Sequence, residues 1–312
     1  MFNIGIAVAV TYYYHYQDMK HLAIPMVGHT LLASSLGLLL SYRTNSAYGR
    51  FWEARGHWTK AKASCRSLAI FISVYIRPHA PKAAEHMIEL LRAYPSSLMH
   101  LCLGGAARLS DEVAALIPKP TIPDQFQEDF ALPSILLQME MHKALHHACV
   151  ESKTAKWHLV DAAHMEEASH LLTCLMDSAS SCEKILRTPV PWTYSRHTSR
   201  FLTLWMGALP FALVSQLSKS LVVAVVAVMS YCMFGIEEIS HLIEQPFLGD
   251  PDQVWSAVDG NGEAADLMKR GRKTQPYDIG IPVCRLAAQI RKEIGFITSG
   301  GKIETDDGLV SL

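Results

Sequence analysis

Charge is what this chain has least of. Only 18% of its 312 residues are Asp, Glu, Lys or Arg, against ~25% in ordinary soluble domains. Lys+Arg 28 against Asp+Glu 29 leaves it almost neutral, so no basic surface is available for nucleic acid or for an electrostatic hold on a membrane face. There is no G-x-S-x-G, no G-x-x-x-x-G-K-S/T and no G-x-G-x-x-G. The serine-nucleophile hydrolases, P-loop NTPases and dinucleotide enzymes marked by those turns are therefore not indicated. C-x-x-C is also missing. Seven cysteines, at 65, 102, 149, 174, 182, 232 and 284, are scattered and odd in number. They read as reduced and structural, which argues against an oxidising compartment for the soluble part.

A basic n-region and a small-residue cleavage site are lacking too. Met1 runs at once into the apolar stretch Phe2 to Tyr14, which is neither a secretory signal nor a transit peptide. About 13 residues rise only ~20 Å against ~30 Å of hydrocarbon. The expectation is a first membrane helix that extends to about Lys20, or one whose beginning precedes Met1; the second is preferred.

Apolar length is what the chain does have. Half of its residues are hydrophobic and the mean hydropathy is +0.14. Leu22 to Tyr42, Phe201 to Leu217 and Leu221 to Ile236 carry no Asp, Glu, Lys or Arg; Lys219 falls between the last two. Each is near spanning length. A hairpin of two such helices would be apolar on all sides, which a water-soluble core does not need. Four spans are expected. Arg43, Arg50 and Arg55 follow the second; Arg187, Arg196 and Arg200 precede the third. By the positive-inside rule the region 43–198 then lies on the cytoplasmic or stromal side.

That middle region reads as helical over 45–77, 81–103, 132–151 and 156–187, with apolar residues at helical spacing. In the last, Leu171, Leu175, Cys182 and Ile185 suggest one buried stripe. Pro118, Pro120, Pro123 and Pro133 mark an irregular stretch. The tail from about Gly260 is polar, with a helix expected near Pro282 to Ile294 and a disordered last dozen residues. The fold class is an all-α membrane protein. Its expected parts are 1–42 with two membrane helices, 43–198 the helical soluble region, 199–239 two more membrane helices, and 240–312 a C-terminal segment.

At the end of the second span the chain reads S-Y-R-T-N-S-A-Y-G-R-F-W-E-A-R, Ser41 to Arg55. Thr188 to Tyr194 is T-P-V-P-W-T-Y, Ala208 to Val214 is A-L-P-F-A-L-V, and Gly235 to Phe247 is G-I-E-E-I-S-H-L-I-E-Q-P-F. These four stretches, in this order, resemble the bestrophin anion-channel family, its bacterial and plastid-type branch most of all. The resemblance covers most of residues 22–250. It implies a homopentamer in a lipid bilayer, a pore on the fivefold axis, and chloride or other small monovalent anions such as nitrate or bicarbonate as the passing ions. It implies no enzyme and no cofactor, and a thylakoid membrane in preference to a plasma membrane. It places a pore neck at Ser34, Leu38 and Tyr42 and a lower aperture at Val190.

The residues themselves are consistent with this but less specific. Ser34, Leu38 and Tyr42 fall at i, i+4 and i+8, one stripe of a helix, and such a stripe is equally ordinary helix packing. Five copies would make a ring of Leu above a ring of Tyr. An ion there must shed water, and the positive edges of the tyrosine rings favour an anion. Arg43 and Arg50 either raise the anion concentration below the neck or form structural ion pairs, with Glu53 a candidate for Arg50. Val190 precedes a proline and should not be helical. Ser34 stands where the family usually has an apolar neck residue, which shortens the dry part of the neck. Only Asp250 and Asp252 closely follow Phe247, too few for the six or more oxygen ligands of a calcium site.

Two metal readings compete. Glu167-x-x-His170 and Glu238-x-x-His241, with Glu140 and Glu244 as extras, would suit a membrane di-iron carboxylate enzyme. His142, His146 and His147 include an i, i+4 pair, the spacing of two ligands on one helix face, but a solvated face explains them as well. A non-conducting membrane scaffold of the same fold is the third alternative.

Overall fold

The computed structural model describes residues 2–104, 111–116, 131–154, 162–247, 280–300, 302–305 and 308–311. Asp250 and Asp252, Pro118 to Pro123, and the expected helix start at 156–161 lie outside the described residues. Two compact units emerge, residues 1–51 with 189–245, and residues 52–188 with 246–312.

The first unit contains α1 (Phe2–Tyr16), the first half of α2 (Met26–Phe71), α7 (Trp192–Leu213) and α8 (Lys219–Glu244). A short 3-10 turn, Lys20–Leu22, separates α1 from α2. Ala7 of α1, Leu36 of α2, Leu202, Trp205, Met206, Leu209 and Leu213 of α7, and Val222 and Val226 of α8 form its core. One polar side chain is built into it. His29 is buried, and its Nε2–H donates to the Trp205 carbonyl at 3.1 Å while the Trp205 indole N–H donates to the His29 carbonyl at 3.1 Å. The rings stack at 4.3 Å. Both polar groups are satisfied, so the pair fastens α2 to α7 without the penalty of an unmatched donor.

Among the described residues, two helices, within Lys20–Ile76 and Lys219–Glu244, are long and apolar enough to cross a membrane. Only 11% and 17% of their most apolar windows are buried, unlike the core helix of a soluble protein. α1 is 15 residues long. α7 begins nine residues before the expected Phe201, because Trp192 to Arg200 are helical though polar.

The second unit holds the rest of α2, a π-turn at Ile72–Ile76, α3 (Pro81–Cys102), α4 (Asp111–Leu116), α5 (Leu132–Thr154), α6 (Ala162–Arg187) and α9 (Val283–Thr298). Pro81 begins α3, where its missing N–H costs nothing. The core gathers Trp58, Leu68, Ile72, Met87, Leu90, Tyr94, Leu137 and Leu172, all under 2% exposed. The Tyr94 hydroxyl donates to the Leu175 carbonyl at 2.8 Å, so the one polar atom of that ring is matched. In α6 the buried stripe is Ala168, Leu172, Leu175, Ala179, Cys182 and Ile185; Leu171, expected there, is half-buried one position out of phase. α9 buries Val283, Leu286, Ala287, Ile290 and Ile294, the i, i+3, i+4, i+7 pattern of an amphipathic helix.

The chain end differs from the expected disorder. Lys302–Thr305 (β1) and Gly308–Ser311 (β2) pair antiparallel, with Lys302 opposite Ser311. This two-stranded ribbon is the departure from an otherwise helical fold among the described residues.

Candidate functional site

The first 22 residues of α2 have two unlike faces. Leu36, Leu40, Arg43 and Ala47 are 2–5% exposed, at spacings of four, three and four. On the other face Val27, Leu31, Leu38 and Tyr42 are 71%, 69%, 73% and 63% exposed, and Ser34, also exposed, falls between them. These five positions are separated by four, three, four and four residues, a single helical stripe ~22 Å long at 1.5 Å per residue. The three residues expected to form the neck therefore lie together on a face that nothing in the first unit covers. The Ser34 hydroxyl donates back to the Leu31 carbonyl at 2.9 Å, so it offers lone pairs rather than its proton to the outside.

Tyr42 has a partner the sequence reading missed. Its ring meets that of Tyr194, on the first turn of α7, at 5.7 Å between centroids and 78° between planes. The Tyr194 hydroxyl reaches the Leu39 carbonyl at 3.4 Å, a long hydrogen bond. Four residues before Tyr194 stands Val190, half-buried, in the non-helical stretch 188–191. Pro191 has φ −54 and ψ 114 and caps α7. The break expected from the Val-Pro step is present, and it carries the candidate aperture residue.

Arg43, one residue past Tyr42, lies on the packed face, ~100° round the helix. Its side chain is 3% exposed and its Nη1 is 3.2 Å from Glu237 Oε1. Nη2 is 2.8 Å from His241 Nε2 and 3.8 Å from Glu244 Oε2. Ser199 accepts from Arg43 Nη1 at 3.4 Å and its hydroxyl bonds the Glu237 carboxylate. Thr44 and Ser240 join at 2.8 Å beside them. A guanidinium only donates, so His241 Nε2 must be an acceptor here and its proton sits on Nδ1, 3.8 Å from Glu244 Oε2. Its Nε has no hydrogen-bond partner among the described residues, but both terminal nitrogens are engaged, so the buried charge is held in a polar network. Of the two roles open for Arg43, attracting anions and holding an ion pair, the geometry is that of the second: two carboxylates offset its charge. Glu237, Ser240, His241 and Glu244 share one face of α8 at spacings of three, one and three. That pattern, opposite an arginine just past an apolar run, was the available signal for this network.

Arg50 lies seven residues further along α2, half-buried. Glu53, its candidate partner, is 2.8 Å from Lys184 and 3.8 Å from His57. The Lys184 hydrogen bond holds the Glu53 carboxyl below its ordinary range, against the opposing effect of burial.

Neither metal reading gains support from geometry. Among the described residues no three His, Cys, Asp or Glu converge on a common point. In the second E-x-x-H, His241 is engaged by Arg43, and the carboxylate beside it in the network is Glu237, while Glu238 is exposed. His142 Nδ1 is 2.9 Å from the Gln138 carbonyl, within its own helix.

The model of the bacterial and fungal bestrophin proteins matches residues 1–254. The chain belongs to the bestrophin family. A voltage-dependent anion channel-forming protein of Nostoc is 33% identical over 281 residues, 85% of this chain and 85% of its own. One from Synechocystis, of the same description, is 28% identical over 84% of this chain and 82% of its own. A chloroplastic voltage-dependent chloride channel of Arabidopsis is 27% identical over 76% of this chain and 55% of its own. Among solved structures, a bacterial bestrophin homolog from Klebsiella pneumoniae superposes with TM-score 0.70 at 19% identity, covering 95% of this chain and 96% of that one. The bestrophin fold thus extends beyond the motifs that first pointed to it.

Proposed function

We propose that this bestrophin is a membrane channel for small monovalent anions, built from five copies around a common axis. The neck of its pore is the stripe Ser34, Leu38 and Tyr42, and its second constriction is Val190. The observation that carries the reading is the uncovered stripe on α2, apolar along ~22 Å and back to back with a fully packed face. An exposed apolar stripe of this length needs a cover. In a channel of five copies, the natural cover is the same stripe on the other four. The rings then present little to replace the water an ion sheds. Larger, weakly hydrated anions lose less, so nitrate, bromide and iodide pass at least as well as chloride. Arg50, half-buried on α2 past the neck, is proposed to raise the local anion concentration there.

The proposed topology has four spans: α1, the first part of α2, α7 with the turn after it, and α8. Both ends and the region 43–198 lie on the cytoplasmic or stromal side, in line with the arginines at 43–55 and 187–200. A thylakoid membrane is proposed in preference to a plasma membrane, in line with the chloroplastic relative. Currents through the purified protein in a planar bilayer, with reversal potentials under mixed-salt gradients, test the function. Anion over cation preference, with nitrate and iodide at or above chloride, is expected. Val190→Ala should raise the size cutoff for organic anions. A protein that assembles as five protomers yet carries no current overturns the reading.

A further inference from the structure

We infer that Tyr194 is a positioning residue for anion selection: it holds the Tyr42 ring in one orientation at the neck. The inference rests on the neck reading proposed above. A tyrosine within a helix has two staggered χ1 wells open to it, at about 180° and about −60°. Tyr42 is 63% exposed, so its own neighbours on α2 do little to choose between them. Tyr194 does choose. It sits on a separate helix, α7, and meets the Tyr42 ring edge to face at 5.7 Å and 78°. Such a contact biases the two ring positions about two- to tenfold.

Which way the Tyr42 ring turns decides what an ion meets. With its edge toward the axis, the ring presents the positive rim of its quadrupole to an anion; with its face toward the axis, it presents the negative cloud. Orientation also sets the width, since a ring swung along the helix narrows a different level from one swung across it. Tyr194 touches none of this directly and acts only through Tyr42.

Its own placement is fixed from two sides. The Tyr194 amide donates to the Pro191 carbonyl at 3.0 Å, in the first turn after the break that carries Val190. Its hydroxyl reaches back to the Leu39 carbonyl at 3.4 Å, which is long enough that ring contact rather than this bond must do most of the orienting. The start of α7 therefore carries the aperture residue and the support of the neck ring within four positions.

The test is the iodide-to-chloride permeability ratio, read from reversal potentials in planar bilayers, because a ratio is insensitive to how many channels are present. The proteins are wild type, Tyr42→Ala, Tyr194→Leu, Tyr194→Phe and the double variant Tyr42→Ala/Tyr194→Leu. Tyr194→Leu should move the ratio most of the way to the Tyr42→Ala value. Tyr194→Phe, which keeps the ring and drops only the hydroxyl, should restore it to wild type. The double variant should match Tyr42→Ala, since Tyr194 has nothing left to position. If Tyr194→Leu does not assemble, Tyr194→Met is read in its place. Tyr42→Ala shifting the ratio while Tyr194→Leu or →Met leaves it at wild type overturns the positioning role and spares the neck. A Tyr194→Phe shift as large as that of Tyr194→Leu also overturns it, because the hydroxyl and not the ring would then matter. A Tyr42→Ala ratio equal to wild type removes the neck assignment itself, and this inference with it.

Discussion

Replacing Arg43 by Met keeps most of the side-chain length and removes its charge. Arg43 is 3% exposed and is flanked by Glu237 at 3.2 Å and Glu244 at 3.8 Å. With the cation gone, both carboxylates remain in a largely water-free site with His241 and Ser199 as their remaining partners. Removing one member of a buried pair typically costs about 3–5 kcal/mol, far more than the pair contributes relative to a well-packed apolar replacement. For a chain of 312 residues that corresponds to a fall of about 5–8 °C in the apparent melting midpoint. Tryptophan fluorescence of the detergent-solubilised protein reads it, at matched concentration because assembly shifts the midpoint. Glu237→Gln leaves Arg43 with Glu244 and should cost less, about 1–3 kcal/mol. The double variant Arg43→Met/Glu237→Gln should fall short of the sum by about 0.5–3 kcal/mol, the signature of groups in contact. A midpoint for Arg43→Met within about 1 °C of wild type, with a loss of anion preference, would refute this reasoning. Arg43 would then be a pore group facing ions, and its burial in the first unit would be irrelevant to how it acts.

Three further outcomes follow from named residues. Glu238→Gln should change stability by no more than about 0.5 kcal/mol, as exposed substitutions do, and leave the protein without stoichiometric iron by elemental analysis; iron lost on Glu238→Gln would revive the carboxylate-enzyme reading. Leu38→Ala should widen the narrowest apolar ring, raising single-channel conductance and flattening the preference for iodide over chloride; an unchanged conductance and ion order would show that Leu38 does not line the pore. Burial raises the Glu293 carboxyl, but hydrogen bonds from Arg66 at 2.7 Å and Lys62 at 3.0 Å outweigh it and hold the group below its ordinary 4.5. A lowered folded-state value means the unfolded chain binds the proton first. The stability from this group is therefore present above about pH 4.5 and lost as pH falls below it. Glu293→Gln should flatten the acid loss in denaturation monitored against pH, and an identical acid limb would show the pair to be inert.

What the sequence disclosed divides along physical lines. Hydropathy reports where water is excluded, and it located the apolar runs well, but helices are bounded by hydrogen bonding instead. Arg196, His197 and Arg200 hid the first nine residues of α7 from a hydropathy reading, although a polar residue is no obstacle to a helix. The same distinction joins the second span to the segment after it. Nothing between Tyr42 and Phe51 breaks a helix, so α2 runs unbroken from Met26 to Phe71, while packing divides it at Phe51. Periodicity found the buried stripe of α6 but slipped by one at Leu171, because Leu171 and Leu172 are equally apolar and only the neighbouring helices choose between them. Nothing local marks residues 302–311 as a ribbon, since four-residue strands give too few alternations to recognise.

The harder case is a residue whose role depends on which side of its helix it occupies. Tyr42 and Arg43 are adjacent in sequence but ~100° apart around the helix. One is 63% exposed and the other 3%. Read along the chain, an aromatic beside a cation below an apolar span looks like one anion-attracting pair. Read around the helix, the pair separates into an exposed ring and a buried fastening for α7 and α8. Leu36, Leu40 and Ala47 already placed the packed face at Arg43, at spacings of four, three and four, and Ser34 and Leu38 placed the open face at Tyr42. The two roles could thus have been assigned from helical phase, given only which stripe was packed. That last fact belongs to the neighbouring helices: Trp205 stacked on His29, and Glu237 meeting Arg43, turn the Arg43 side of α2 inward and leave Leu38 and Tyr42 exposed.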